Sequence, residues 1–335
     1  MLIDSGIGFS AEGTGSEARR AEEAGFSGVW AAEGSHDPML ILTQAALTTD
    51  RLELGTGIMV AFGRTPMTVA MTANDLQLLS KGRLLLGLGS QIRPHIEKRY
   101  SMPWSHPAAR MREFISAMRA IWECWNEGTE LDFRGDFYTH SLMTPMFRPD
   151  PNPYGAPKVF LAAVGELMTQ VAGEVADGLL VHPFSTERYL KEVTVPALDR
   201  GLATAGRSRQ SIQISYSAMV LTGGTDEEVE ASRGRLLAQL AFYASTPAYR
   251  PVLNLHGWGD LQPELNALSK RGEWPAMAQL IPDEMLDAFA VVARPADVAS
   301  RLRERFGGVV DRISFYSHTS MTQPYWAEVL AGFQQ

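Results

Sequence analysis

The 335 residues, 45% of them hydrophobic and 20% charged, suffice to bury a sizeable core and exclude the disordered and fibrous classes. A net charge of −8 argues against broad nucleic-acid binding, which needs a basic face to displace counterions, and any anionic cofactor must find local positive charge. No apolar run approaches the roughly 18 residues of a membrane span, and Met1–Phe9 lacks a basic signal region, so a cytoplasmic protein with no membrane partner is expected.

Strand-like apolar runs alternate with helical segments along the whole chain, which predicts βαβ units and a parallel sheet. Eight units are expected in one α/β domain, a (β/α)8 TIM barrel over 1–335, with insertions after strands 4 and 7. The first strand is Leu2–Phe9; Thr14 and Glu17 form a capping box for the first helix, which Gly25 closes. Gly28–Glu33 is the second strand. Asp37-Pro38 caps the helix through Met39–Thr48, Leu52–Ile58 is the third strand, and Thr65-Pro66 repeats the device before Gly82 stops the next helix. The fourth strand, Arg83–Gly87, leads by a long connection to a helix beginning near Pro107, on which Phe114, Met118, Ile121, Trp122 and Trp125 share a buried face. The one cysteine, Cys124, lies on this helix and reads as a buried thiol.

Residues 126–157 lack a sustained period and read as an insertion. Val159–Ala163, Gly178–Val181 and Ile212–Leu221 are strands 5, 6 and 7, and Glu166–Ala176 is the helix after the fifth. Thr225 and Glu228 form a further capping box. A second insertion, roughly 245–292, carries Tyr249, Trp258 and Trp274; Val310–Phe315 is the eighth strand, before a terminal helix.

In such barrels the active site is built at the carboxyl ends of the strands. Three histidines fall there, His36, His182 and His318, although an exposed loop histidine needs no catalytic explanation. Glu33 ends an apolar strand at the mouth, placed to orient His36 or to accept a hydrogen bond from a cofactor ring. His36 or His182 is expected to move a proton, because imidazole titrates near neutrality. Asp37 is explained by capping alone. Arg64, Arg93 and Arg188 each follow a strand end and are candidate cations for an anionic cofactor; Ser90 stands beside Arg93 after strand 4. Ala163, Val164, Gly165 and Glu166 open a helix with small residues and free N–H groups, a phosphate seat or simply a close strand–helix contact. Gly55-Thr56-Gly57-Ile58 marks either a close backbone approach or a bulge. Zinc-type His/Cys spacing, a nucleophile elbow and a Walker loop are missing, and Gly87-Leu88-Gly89 lacks the rest of a dinucleotide fingerprint, so no metal site is expected.

The segments Ala21–Glu33, Leu54–Ile58 with Pro66, Ser80–Gly89, Leu161–Gly165, Ala172–Gly178 and Arg294–Val298, in this order, resemble the bacterial luciferase-like superfamily, in particular its branch of coenzyme F420-dependent oxidoreductases. The resemblance implies a deazaflavin ring held over the strand ends, with hydride transfer at its central ring. It also implies a non-proline cis peptide at Gly57-Ile58, pressing on the ring from behind. Deazaflavin dehydrogenases show Asp-His after the second strand, where this chain has Glu33-Gly34 and a displaced His36. The Glu that sugar-phosphate-oxidising relatives use after strand 4 has no counterpart in Ser90-Gln91-Ile92-Arg93. Three functions follow: an F420-dependent oxidoreductase on a small-molecule substrate, an FMN-dependent luciferase-like monooxygenase, or a non-catalytic flavin-binding barrel. A homodimer is left open.

Overall fold

The structure, a computed structural model, describes residues 1–317 and 323–334; His318 lies outside them. The strands are β1 (Leu2–Ile7), β2 (Gly28–Ala31), β3 (Glu53–Thr56), β4 (Met59–Val60), β5 (Leu84–Gly89), β6 (Phe133–Arg134), β7 (Thr139–His140), β8 (Lys158–Ala163), β9 (Gly178–Val181), β10 (Gln213–Leu221), β11 (Ala290–Val292) and β12 (Arg312–Tyr316). Pairing runs β12-β1-β2-β3-β5-β8-β9-β10 and returns to β12, giving a (β/α)8 barrel. The chain divides into two compact units, one of residues 1–3, 181–196 and 214–335, the other of 4–180 and 197–213.

In the larger unit, residues 4–180 and 197–213, helices α1 (Thr14–Glu23), α2 (Pro38–Thr48), α3 (Pro66–Leu79), α4 (Arg93–Lys98), α5 (Pro107–Glu127) and α6 (Glu166–Val175) follow their strands. Their ends are set locally. Asp37 Oδ1 accepts from Met39 N at 2.9 Å with Pro38 in the first turn, and Thr65 and Thr68 form a reciprocal capping box. Gly25 and Gly82 take φ of +88°, as helix-stopping glycines do. Phe114, Met118, Ile121, Trp122 and Trp125 are all buried on α5, which packs on α3 and α6, as their spacing predicts. Each such side chain contributes about 1.5–3 kcal/mol by leaving water.

Three details differ from the sequence reading. Thr14 does not cap α1: its hydroxyl bonds Gly8 O and Ser10 O and accepts from Ser10 N, so it ties the preceding turn while Gly13 starts the helix without a side-chain cap. Arg93 opens the short helix α4 instead of lying in a loop. Strand 3 breaks in two, because Gly55 faces Leu85 while Met59 faces Leu88, which leaves one extra residue on its side of the ladder, a bulge at Gly57-Ile58.

The smaller unit contains α9 (Asp226–Ala244), α10 (Arg250–Leu255), α11 (Leu261–Arg271), α12 (Trp274–Gln279), α13 (Asp283–Phe289), α14 (Pro295–Phe306) and α15 (Tyr325–Gln334), after α7 (Glu187–Tyr189) and the start of α8 (Val195–Thr204). Thr225 caps α9 through Glu228 N, but the Glu228 carboxylate reaches past it to Gly224 N at 2.8 Å. The second insertion is largely helical, and its last residues form β11, parallel to β10. Leu240, Leu253, Leu265, Met285 and Phe289 bury its apolar faces around Phe184 and Met219.

Candidate active site

In the larger unit the carboxyl ends of β2 and β3 are joined by an ion-pair network. The Glu33 side chain, only 6% exposed, accepts from Arg64 Nη1 at 2.8 Å, Tyr100 Oη at 2.6 Å and Val60 N at 2.8 Å. Arg64 also reaches Asp37 Oδ2 at 2.8 Å, so Asp37 both caps α2 and anchors the arginine. Burial pulls the Arg64 pKa down, but hydrogen bonds and charge from Glu33 and Asp37 outweigh it and the net shift is upward. Burial, then the bond to Glu33, pushes the Tyr100 phenol up to about 12. Arg99 donates to Gly34 O and so ties the segment after β2 to the segment after β5.

This arrangement changes the part Glu33 plays. Its two oxygens hold Arg64, Tyr100 and the bulged strand, whereas His36 is exposed and stacks on Phe9 with ring centroids 4.4 Å apart. Glu33 therefore does not orient His36. Nor is Arg64 a spare cation, since both of its carboxylate partners are in this network. Tyr100 gave no local sign of its part, lying 67 residues from Glu33.

The peptide between Gly57 and Ile58 is cis, the feature implied by the family resemblance. Gly57 N donates to Ala31 O at 2.8 Å and Glu33 N to Ile58 O at 3.1 Å, fixing the pair against β2. The glycines here have a packing reason: a Cβ on Gly55 would lie 2.3 Å from the Trp30 indole, and one on Gly87 1.9 Å from Thr56 O. Trp30 donates from Nε1 to Asp4 at 2.8 Å.

Elsewhere at the strand ends there is room. A Cβ on Gly6, Gly8, Gly34 or Gly165 would meet no atom within 4 Å, and these glycines sit at or just past the ends of β1, β2 and β8. Gly165 is the N-cap of α6 and Glu166 its first residue, exposed and paired with Arg200 at 2.5 Å. Ala163 is buried in β8 and Val164 half-buried beside it. Ser90 is half-buried, its hydroxyl turned to Gln91 O at 3.2 Å. Arg93 is 68% exposed, with Glu97 one helical turn away at 2.9 Å.

In the smaller unit His182, just past β9, stands in an aromatic cluster. Its Nδ1 accepts from Phe184 N at 3.0 Å and its Nε2 meets Tyr249 Oη at 3.0 Å. Tyr249 and Tyr243 flank the imidazole with centroids 4.6 and 4.8 Å away, and Tyr243 Oη lies 3.0 Å from Tyr316 Oη. Burial pushes the His182 imidazole down to about 4. Arg188 is exposed and donates to Glu192 and to Leu255 O.

The luciferase-like monooxygenase family model matches residues 5–312. An uncharacterized protein of Mycobacterium tuberculosis (strain ATCC 25618 / H37Rv) is 62% identical over 292 residues, 87% of this chain and 86% of that protein. The 5,10-methylenetetrahydromethanopterin reductase of Archaeoglobus fulgidus is 28% identical over 292 residues, covering 85% of this chain and 83% of its own length. Among solved structures, the coenzyme F420-dependent tetrahydromethanopterin reductase of Methanopyrus kandleri superposes over 99% of this chain and 98% of its own with a TM-score of 0.77 at 19% identity. With the family model spanning most of its length, the chain belongs to the luciferase-like monooxygenase family.

Proposed function

We propose that the protein is an oxidoreductase that transfers a hydride between coenzyme F420 and a small organic substrate, working as a single-domain cytoplasmic enzyme. The observation that carries the reading is the open space above Gly6, Gly8, Gly34 and Gly165, together with the bulged Gly57-Ile58 segment. A flat ring can approach backbone there without meeting a side chain, and the likeness to F420-dependent reductases extends over nearly the whole chain. When bound, the deazaflavin supplies a two-electron hydride donor or acceptor.

The chain's own residues divide the work. Gly165 and the first turn of α6 present N–H groups, and a positive helix end, to an anionic tail. Exposed Arg93 offers a cation, with Ser90 as its polar neighbour. Gly57 and Ile58 form the surface against the ring, and the Glu33–Arg64–Asp37–Tyr100 network holds that surface in place. His36, exposed and backed by Phe9, is assigned the proton transfer; His182 is enclosed and held neutral.

The alternative, an FMN-dependent monooxygenase, is favoured by the description of the family itself. Equilibrium titrations with oxidised F420 and with FMN, read by cofactor fluorescence, separate the two. Tighter binding of the deazaflavin, weakening as salt is raised, is expected. Equal or tighter FMN binding would overturn the assignment.

A further inference from the structure

Helices α2 and α3 pack side by side in the larger unit, and each runs from the carboxyl end of one parallel strand to the amino end of the next, so they point the same way. Their composition sets them apart from the neighbouring α1. That helix, Thr14–Glu23, carries five charged residues, whereas α2 carries none and α3 only Asp75. Leu40 and Leu47 on α2 are 63% and 67% exposed, and Met71 and Leu78 on α3 are 53% and 50% exposed. A helix that is apolar all round belongs in a buried position, and here one face of each is left to water. Together the four side chains expose roughly 400 Å² of apolar surface, as much as the largest patch on a typical monomer and about half of what one partner buries in a stable interface.

The two stripes repeat one pattern. Leu40, Gln44 and Leu47 on α2, and Met71, Asp75 and Leu78 on α3, place apolar, polar and apolar side chains at i, i+4 and i+7, on one face of each helix. Leu47 and Leu78 are each the penultimate residue of their helix, and the strands that follow, β3 and β5, pair at Leu54 and Leu84, so the stripes lie level. A two-fold axis parallel to the helices therefore lays α2 of one copy along α3 of the other in the same direction. Leu40 then meets the partner's Met71, Leu47 meets the partner's Leu78, and the Gln44 amide meets the carboxylate of the partner's Asp75. Every contact is made twice, as a closed two-fold interface requires. An axis across the helices would instead lay α3 on itself and bring two like-charged carboxylates close together.

We propose that the outer face of α2 and α3 is the docking surface for a second copy of this chain, in a two-fold homodimer whose four helices run parallel. Charge favours a copy over another occupant. With a net charge of −8 the chain repels itself over its surface at large, and this face brings a single carboxylate per copy to the contact. A strongly charged protein or a nucleic acid would find no row of opposite charges here to pair with.

The test uses the full chain without cofactor, so it is independent of the proposed reaction. Sedimentation velocity should show a dimer at micromolar concentration. Leu47→Glu with Leu78→Glu, both at exposed positions outside the core, should raise the dissociation constant at least about a hundredfold, because like charges then face each other twice. Leu47→Lys with Leu78→Glu should recover the dimer, since the facing charges become opposite. Leu167→Glu, at a leucine 70% exposed on α6, should leave the dimer unchanged. As a check that does not depend on those charges, Gln44→Cys with Asp75→Cys should cross-link two copies under mild oxidation, and neither single variant should. The proposal is overturned by a wild-type chain that stays monomeric, by a dimer that survives the paired glutamates, by a charge swap that fails to restore it, by dissociation of the Leu167→Glu control, or by a cross-link that forms with one cysteine alone or not with both.

Discussion

Replacing Glu33 with alanine tests whether this carboxylate is a clamp or a reacting group. The change strips acceptors from Arg64, Tyr100 and Val60 N at once, in a place where the Glu33 side chain is 6% exposed and that of Arg64 20%. Removing one partner of a buried ion pair costs about 3–5 kcal/mol; Arg64 keeps Asp37 and Val60 O, so the low end, about 3 kcal/mol, applies. At about 2.1 cal/mol/K per residue, 335 residues give an unfolding entropy of roughly 0.7 kcal/mol/K, so the loss lowers Tm by about 4 °C. Calorimetry of Glu33→Ala, Tyr100→Phe and the double variant reads the effect, and the two changes should couple rather than add because they share one hydrogen bond. A Glu33→Ala protein that melts within a degree of wild type yet has lost turnover would refute the clamp and return Glu33 to chemistry.

His182 gives a pH signature. Its folded pKa of about 4 lies below the usual 6.5, so the unfolded chain binds the extra proton; its contribution is complete above about pH 6.5 and is lost as pH falls toward 4, at most about 3 kcal/mol. Urea unfolding of wild type and His182→Gln at pH 7 and 4.5 checks this, since parallel pH profiles would deny it. Gly87→Ala puts a Cβ 1.9 Å from Thr56 O, backbone that cannot step aside, and should leave little folded protein in circular dichroism; a native melt would contradict the strand register. At Gly165 a Cβ meets nothing, so Gly165→Val should fold normally and lose at least tenfold in F420 affinity if α6 seats the anionic tail. Unchanged affinity would remove that seat.

The elements legible in the sequence are those whose signals are local. Asp37-Pro38, Thr65-Pro66, Gly25 and Gly82 mark helix ends through contacts within a few residues, and the five apolar positions on α5 reveal a buried face because they repeat at helical spacing. Helix α4 was hidden because it is short, begins Arg93-Pro94 and has an N-cap, Ile92, with no side-chain bond. The Thr14 box failed because the hydroxyl finds Gly8 and Ser10 before the helix begins. Strand ends pointed to Glu33, His36, Arg64 and His182, but what each does depends on partners no local pattern reveals: Tyr100 for Glu33 and Tyr249 for His182, each 67 residues away. Gly55-Thr56-Gly57-Ile58 reads as a close backbone approach or a bulge, and at Gly55 the group that approaches is the protein's own Trp30.

Oxygen dependence of turnover tests the central claim most directly. Mixed anaerobically with reduced F420 and an organic substrate that it accepts, the protein should oxidise one deazaflavin per substrate molecule reduced, at a rate unaffected by readmitting air. Activity that appears only with reduced FMN and oxygen, and consumes oxygen in step with product, would contradict the account and make the chain a monooxygenase.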